Sequence, residues 1–333
     1  MDTRDFEYFA VIAERRNMRH AAEVLGLSQP ALSKAVRRLE TSLGVKLFER
    51  AARGVELTSV GTALFGQIAK LRLTHADVAR EVVDLSQGRA GMVRVGTSPV
   101  IAEDLPIVCA ALMRESPKVT LQITVTDNDE MVPALRKAEL DLIYNFLPDY
   151  PYEGTAQEHL FDDEFVVYAS AAHPLARKKR VSVADLEGAR WALTVPAIRS
   201  QQRVLHVLQE SGQGPANVAV ELRSLRLRLQ ICACSDVLGY TSRRIVDQAS
   251  RRLGLKVLPV KELVWRRPVG LILRRDAYLP PAAYRIVELL KSAAHTKAAE
   301  HVRSATRADE PLHTRRFIEA GDTLEITQQI SSD

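Results

Sequence analysis

The sequence predicts an α/β protein built in series: short helices first, then one long helix, then strands alternating with helices. Three observations predict it. A small-residue helical run, "AAEVLGLSQPALSKAVRRLE" at residues 21–40, stops at Gly26 and restarts at Ser28. Apolar residues then recur at alternating spacings of four and three from Leu64 to Leu85. From Met92 the pattern changes to short β-rich runs separated by helical stretches. A chain of 333 residues exceeds one ordinary core, so two or three domains are expected.

In the first part, Phe6, Phe9, Val11 and Ile12 form the apolar stripe of a helix ending near Arg16. Asn17 can cap a second helix through Ala21, Ala22 and Leu25, and Gly26 supplies the left-handed residue that ends it. Ser28 can cap a third, with Pro30 in the first turn, where its missing N–H costs nothing. Leu32, Val36, Leu39 and Leu43 form its buried face, leaving Gln29, Pro30, Ser33, Lys34, Arg37 and Arg38 outside. A steep crossing of two short helices with polar side chains at the start of the second is the helix-turn-helix pattern. After Gly44, two short extended segments around residues 50–54 read as a wing carrying Arg50 and Arg53. Between Arg15 and Arg53 nine Lys/Arg face three Glu, a local +6 in a chain whose net charge is +5. A basic module on a near-neutral body points to double-stranded DNA as its partner.

The apolar repeat of Leu64, Ile68, Leu71, His75, Val78, Val82 and Leu85 is an a/d seam. A long helix with so narrow a seam requires a partner helix, so Leu64, Ile68, Leu71, Val78, Val82 and Leu85 are the expected dimer contacts, with His75 setting register. Residues 86–91 read as a hinge.

In the body, "VRVGTS", "VTLQITVT", "LDLIYNF", "EFVVYAS", "LKVLPV" and "VGLILRR" are the strand candidates. Helices are expected over 101–115, 129–138, 200–211, 224–234, 243–252 and 281–295. Such alternation predicts a mainly parallel sheet with helices on both faces, and ligands beyond the carboxyl ends of its strands. Residues 296–333 have mixed charge and few apolar side chains and read as a mobile tail, with a marginal hairpin about Gly321-Asp322.

Other function classes find little support. None of the eight histidines is paired at i, i+4, and there is no G-x-S-x-G, Walker loop or G-x-G-x-x-G, so no catalytic residue, metal site or cofactor is assigned. Three cysteines without a C-x-x-C pair suit free thiols in a reducing cytoplasm, and the start of the chain has no secretory apolar region. No apolar run approaches the length that spans a bilayer, so no membrane partner is expected.

Residues 1–61 resemble the winged helix-turn-helix of LysR-type transcriptional regulators. The resemblance is carried by Phe9, Ala21-Ala22, Leu25, Ser28-Gln29-Pro30-Ala31-Leu32-Ser33, Leu39-Glu40, Leu43-Gly44, Leu47-Phe48, Arg50, Leu57-Thr58 and Gly61. Met18-Arg19-His20 departs from it, where the family has a small hydroxyl residue and an aromatic one. "VRVGTS", "AELDLIY", "DDEFVVYASAAHPLA" and "DLEGARW" resemble the effector domain of the same regulators, a two-lobed fold similar to periplasmic solute-binding proteins. The resemblance implies a division into 1–58 for DNA, 59–87 as the linker helix, 88–161 with 268–295 as the first lobe and 162–267 as the second.

It further implies promoter DNA, a small-molecule effector and RNA polymerase as partners, and a homodimer or homotetramer. DNA contact falls to Gln29, Pro30, Ser33, Lys34, Arg37, Arg50 and Arg53. Effector contact falls to Thr97, Ser98, Asn128, Asn145, Phe146, Ile198, Arg199, Ser200 and Val269. Phe146 stands where some members have an arginine. Few polar groups on apolar walls suit a monoanionic, aromatic effector whose acid meets Arg199 and Ser200 at a helix start. The alternative is a DNA-binding regulator or architectural protein with no effector. A transporter's solute-binding protein would carry neither wing nor seam.

Overall fold

The computed structural model describes residues 2–51, 54–87, 91–195, 198–212, 214–275 and 277–308; for 84–87 and 295–308 it describes the backbone alone. The first part consists of α1 (Thr3–Arg15), α2 (Met18–Leu25), α3 (Gln29–Leu43) and a hairpin of β1 (Phe48–Ala51) and β2 (Gly54–Leu57). The capping residues expected from the sequence are in place. Asn17 and Ser28 side chains accept from the N–H groups of His20 and Ala31, and Gly26 ends α2 at φ +63°. Phe9, Ile12, Ala21, Ala22, Leu32, Val36 and Leu39 form the core beneath α3. Leu43 differs from expectation: as the last residue of α3 before the Gly44 cap it is 37 % exposed.

Helix α4 (Ser59–Gln87) starts against this core at Gly61, where an added Cβ would lie 2.1 Å from the Leu47 carbonyl oxygen. Its spacing-based seam divides in two. Ile68 is buried against Phe9, Leu39 and Leu47, and Leu64 is half-buried on the same cluster, so both pack on the core of their own chain. Leu71, Val78 and Val82 are 54–60 % exposed. His75 is also exposed, and the Leu85 side chain lies outside the described residues.

The body contains β3 (Met92–Thr97), α5 (Leu105–Glu115), β4 (Thr120–Val125), α6 (Asn128–Arg136), β5 (Leu142–Phe146) and β6 (Thr155–Ser170). It continues through β7 (Arg190–Leu193), α7 (Arg199–Glu210), β8 (Asn217–Glu221), α8 (Leu225–Ala233), β9 (Leu238–Ser242), α9 (Arg243–Leu253), β10 (Leu255–Val257), β11 (Trp265–Arg274) and α10 (Pro281–Ala308). Among the described residues the strands run in the order β4-β3-β5-β11-β6-β9-β7-β8, with β10 on β6. Pairing is parallel within β4-β3-β5 and within β9-β7-β8, but antiparallel wherever β6, β10 or β11 takes part. The sheet is therefore mixed rather than mainly parallel. Strands β6 and β11 are long enough to run through both lobes, and their register shifts between Val269 and Gly270. The short strands β7, β8 and β9 were not among the sequence candidates.

Helix α10 was expected to stop at 295, with a tail from 296. It continues to Ala308, over a stretch free of glycine and proline and rich in alanine, which favours helix. The hairpin expected about Gly321-Asp322 lies outside the described residues.

A buried ionic cluster ties the two lobes. Arg244, at the start of α9, donates to Asp104 Oδ1 at 2.9 Å and to Asp163 Oδ2 at 3.2 Å. The Tyr144 hydroxyl donates to Asp104 at 3.0 Å and Ser242 to Asp163 at 2.8 Å. Asp104 precedes α5, whereas Asp163 lies on β6, so the arginine spans first lobe, crossing strand and second lobe. The linker helix is joined to the first lobe in the same manner: Arg80 donates to Asp141 at 2.5 Å, and Arg274 to Asp77 at 2.8 Å.

Candidate functional site

The exposed face of α3 carries Gln29, Pro30, Lys34 and Arg37, with Ser33 half-buried beside them. Arg50 is exposed on the wing, and Arg53 lies outside the described residues. The wing is held to the turn between α1 and α2 by the Val55 N–H, which donates to the Arg16 carbonyl at 3.2 Å. Glu40 fixes its base by accepting from the Leu47 and Phe48 amides at 2.9 and 3.4 Å. Burial raises the Glu40 carboxyl, but these amides and Lys46 outweigh it and hold the group below its usual range. Arg38 is not part of the free face. It clamps the buried Asp5 carboxylate of α1 through two nitrogens, one at 2.9 Å. The surface left is a basic ridge on a rigid three-helix core, suited to a groove of duplex DNA.

The second site is a cavity of ≈ 240 Å³ between the lobes, beyond the carboxyl ends of β3 and β5. It lies where an open α/β sheet binds ligands. On the first lobe three polar side chains form one chain of hydrogen bonds. Ser98 Oγ donates to Asn145 Oδ1 at 2.6 Å, Asn145 Nδ2 to Asn128 Oδ1 at 2.8 Å, and Asn128 Nδ2 to the Phe146 carbonyl at 3.1 Å. On the second lobe Ile198, Arg199 and Ser200 line the cavity at the start of α7, which no side chain caps. Thr97 and Val269 are fully buried and absent from the lining; their side chains serve the sheet. The structure thus brings seven of the nine expected residues to one cavity: Ser98, Asn128, Asn145, Phe146, Ile198, Arg199 and Ser200.

The sequence reading missed the arginines that dominate the site. Arg267 on β11 is only 9 % exposed and lies against three rings, 4.1 Å from the Phe146 centroid, 4.6 Å from Trp265 and 5.5 Å from Phe165. Burial, reinforced by the nearby charge of Arg199, lowers its pKa to about 10. Arg228 on α8 lines the same cavity and is 5 % exposed. Its position was legible: Leu225, Arg228, Leu229 and Cys232 occupy one face of α8 at helical spacing, so a charge stands in an apolar stripe. Nothing comparable marked Arg267, since Arg266 beside it is exposed and the pair reads as two surface charges.

Two ion pairs cross the cleft mouth, Arg199 to Asp149 at 2.9 Å and Arg223 to Asp127 at 2.7 Å. Burial raises the Asp127 pKa despite Arg223, with Glu130 and Asp129 adding to the rise. Among the described residues no group of histidine, cysteine and carboxylate side chains could hold a metal, and no helix is long and apolar enough to cross a membrane.

Comparison with known families decides what the two sites belong to. Residues 86–295 match the LysR substrate binding domain, and residues 3–62 match the bacterial regulatory helix-turn-helix protein of the lysR family. The chain belongs to the LysR family. As a LysR-type protein it is a DNA-binding transcriptional regulator with an effector-binding domain, not an enzyme. A probable hydrogen peroxide-inducible genes activator of Mycobacterium avium is 31 % identical over 305 residues, 85 % of this chain and 93 % of that one. The HTH-type transcriptional regulator GbpR of Azospirillum brasilense is 28 % identical over 298 residues, 88 % of this chain and 87 % of its own. Among solved structures, full-length OxyR from Pseudomonas aeruginosa has a TM-score of 0.55 at 26 % identity, covering 88 % of this chain and 94 % of that one. LysR-type regulators bind promoter DNA and small-molecule effectors and form oligomers.

Proposed function

We propose that this LysR-type regulator is gated by a small organic anion bound in the cleft between its lobes. The observation that carries the reading is Arg267, a buried guanidinium that lies against three aromatic rings and lines the cavity, with no carboxylate of the described residues in ion-pair contact with it. A cation so placed favours an anionic ligand, and planar guanidinium matches carboxylate or phosphate. A volume of ≈ 240 Å³ suits a metabolite smaller than the ligands of pockets of about 300–1,000 Å³. Aromatic walls at Phe146 and Phe165 also admit a ring.

Thiol chemistry is a poorer fit in the cleft, whose lining includes no cysteine. Burial pushes the Cys232 thiol up to about 11 and raises Cys109 as well, so neither presents a thiolate to an oxidant.

In this reading residues 1–58 bind the promoter through Gln29, Pro30, Ser33, Lys34, Arg37, Arg50 and Arg53, and 59–87 pair two chains through Leu71, Val78 and Val82. Residues 88–161 with 268–295, and 162–267, close on the ligand. Two dimers form a cytoplasmic homotetramer that bends promoter DNA and meets RNA polymerase. A ligand that bridges the lobes favours one tetramer geometry, which shifts the spacing of the bound wings by population shift. A thermal-shift screen of small acids on the whole protein, followed by footprinting with each hit, tests this. A ligand at a hundred times its Kd adds about 2.7 kcal/mol to stability. A stabilising acid that changes the footprint supports gating. A footprint unmoved by every stabilising ligand favours the effector-free alternative.

A further inference from the structure

Arg228 and Arg267 line one cavity, yet they come from different packing units. Arg267 lies on Phe146 and Phe165 of the main core. Arg228 shares the buried face of α8 with Leu225, Leu229 and Cys232, in a separate core of the second lobe beside the Tyr168 phenol. Several other shielded arginines of the body have carboxylate partners: Arg80 and Arg94 with Asp141, Arg244 with Asp104 and Asp163, and Arg274 with Asp77, while Arg203 donates to the Glu262 carbonyl. Among the described residues neither Arg228 nor Arg267 has one. The Nε of Arg228 is buried without any hydrogen-bond partner. Of the two lining carboxylates, Asp127 is taken by Arg223 and Asp129 is exposed.

A guanidinium buried without a counter-charge is costly, and two in one small cavity are more so. Arg267 stands on β11 among rings of the main core and Arg228 on α8 in the separate core of the second lobe, so the two arginines form separate sockets. We propose that the cleft ligand is a small doubly acidic molecule, one acid held at Arg267 and the other at Arg228, with the apolar walls at Val100, Phe165 and Leu225 holding its carbon chain. This rests on the anion reading and narrows it, replacing the single acid expected from the sequence. Arg228 would pair with carboxylate or phosphate through its two-pronged edge, a geometry that lysine does not reproduce.

The test is calorimetry on the full-length protein with α,ω-dicarboxylates of three to six carbons, their monomethyl esters, the matching monocarboxylates and ω-phosphonocarboxylates. At least one diacid should bind tenfold or more tightly than its monoester. Arg228→Gln should lower that diacid to the affinity of the monoester while leaving the monoester unchanged, and Arg267→Gln should weaken both. Arg228→Lys serves if the glutamine variant does not fold, and should reduce the diacid preference at least threefold. The melting temperature of ligand-free Arg228→Gln should stay level or rise, because an uncompensated charge has gone; a structural arginine would lower it on removal. Equal binding of diacid and monoester overturns the second socket and leaves the anion reading standing. A diacid preference untouched in both Arg228 variants removes Arg228 from the site. Binding of neutral solutes alone, or of none of these acids, overturns both readings.

Discussion

Arg199 of α7 reaches across the cleft to the Asp149 carboxylate at 2.9 Å, so the cation expected from the sequence to meet the effector is engaged by a carboxylate of its own chain. Both side chains are about half exposed or more, and such pairs contribute only about 0–1 kcal/mol. An anion entering the cleft competes with Asp149 for Arg199. Asp149→Asn should therefore tighten binding of an acid by up to about fivefold, since 1.4 kcal/mol is tenfold, and should leave the melting temperature near that of the wild type. Arg199→Ala should weaken the same acid by roughly 1.5 kcal/mol, the low end for a charge-assisted hydrogen bond, because the alanine also relieves Arg267 of a like charge. Identical isotherms for the three proteins would remove Arg199 from the site.

On α3 neighbouring arginines should behave differently. Arg37→Ala should weaken specific and random DNA alike and reduce the salt slope by about one, with thermal stability retained. Arg38→Ala should lower the melting temperature of the DNA-binding part, because it strands the buried Asp5 carboxylate. Gln29→Ala should instead cost roughly 1–3 kcal/mol of preference for the operator over random sequence. Gel-shift titrations at several salt concentrations read the Arg37 and Gln29 variants and thermal melts the Arg38 variant, and a common effect of the three would discredit the assignment of α3.

Along α4 the expected outcome depends on which half is altered. Aspartate at Leu71 and Val78 together places charges in the exposed seam, at a cost of several kcal/mol to a paired helix. Sedimentation should then show a smaller species whose circular dichroism is native. Ile68→Asp should instead unfold the DNA-binding part, since Ile68 packs on Phe9, Leu39 and Leu47. Native mass in the double variant would show that the chains pair elsewhere.

The junction of linker helix and first lobe should be acid-sensitive. Burial raises the Asp141 carboxyl, but hydrogen bonds from Arg80 and Arg94 and the Arg94 amide outweigh it, so its folded pKa lies below the ordinary value of 3.8. A depressed folded pKa means the stabilisation is complete above the unfolded pKa and disappears as pH falls through the folded one. The wild type should exceed Asp141→Asn in urea midpoint at pH 7, and the gap should close on acidification below about pH 4. A gap that persists at pH 2–3 would mean that shape, not charge, holds the junction.

The sequence by itself determined the local architecture of the first part. Capping at Asn17 and Ser28, the left-handed turn at Gly26 and the apolar face of α3 are written in neighbouring residues, because caps and helical stripes are short-range physics. The first-lobe wall of the cleft was legible for the same reason, since Ser98 and Asn128 come just after β3 and β4 and Asn145 stands near the end of β5. Tertiary structure alone decided the rest. Spacing put Ile68 and Leu71 on one seam, but only packing shows that one is buried in its own chain and the other exposed. The charges that define the cleft come from α7, α8 and β11, elements distant in sequence that converge only where β6 and β11 carry the chain between the lobes. Whether an arginine is a solvated surface group or a buried socket depends on what surrounds it in space. For Arg38, that is Asp5 from another helix; for Arg267, three aromatic rings and no carboxylate of the described residues in ion-pair contact.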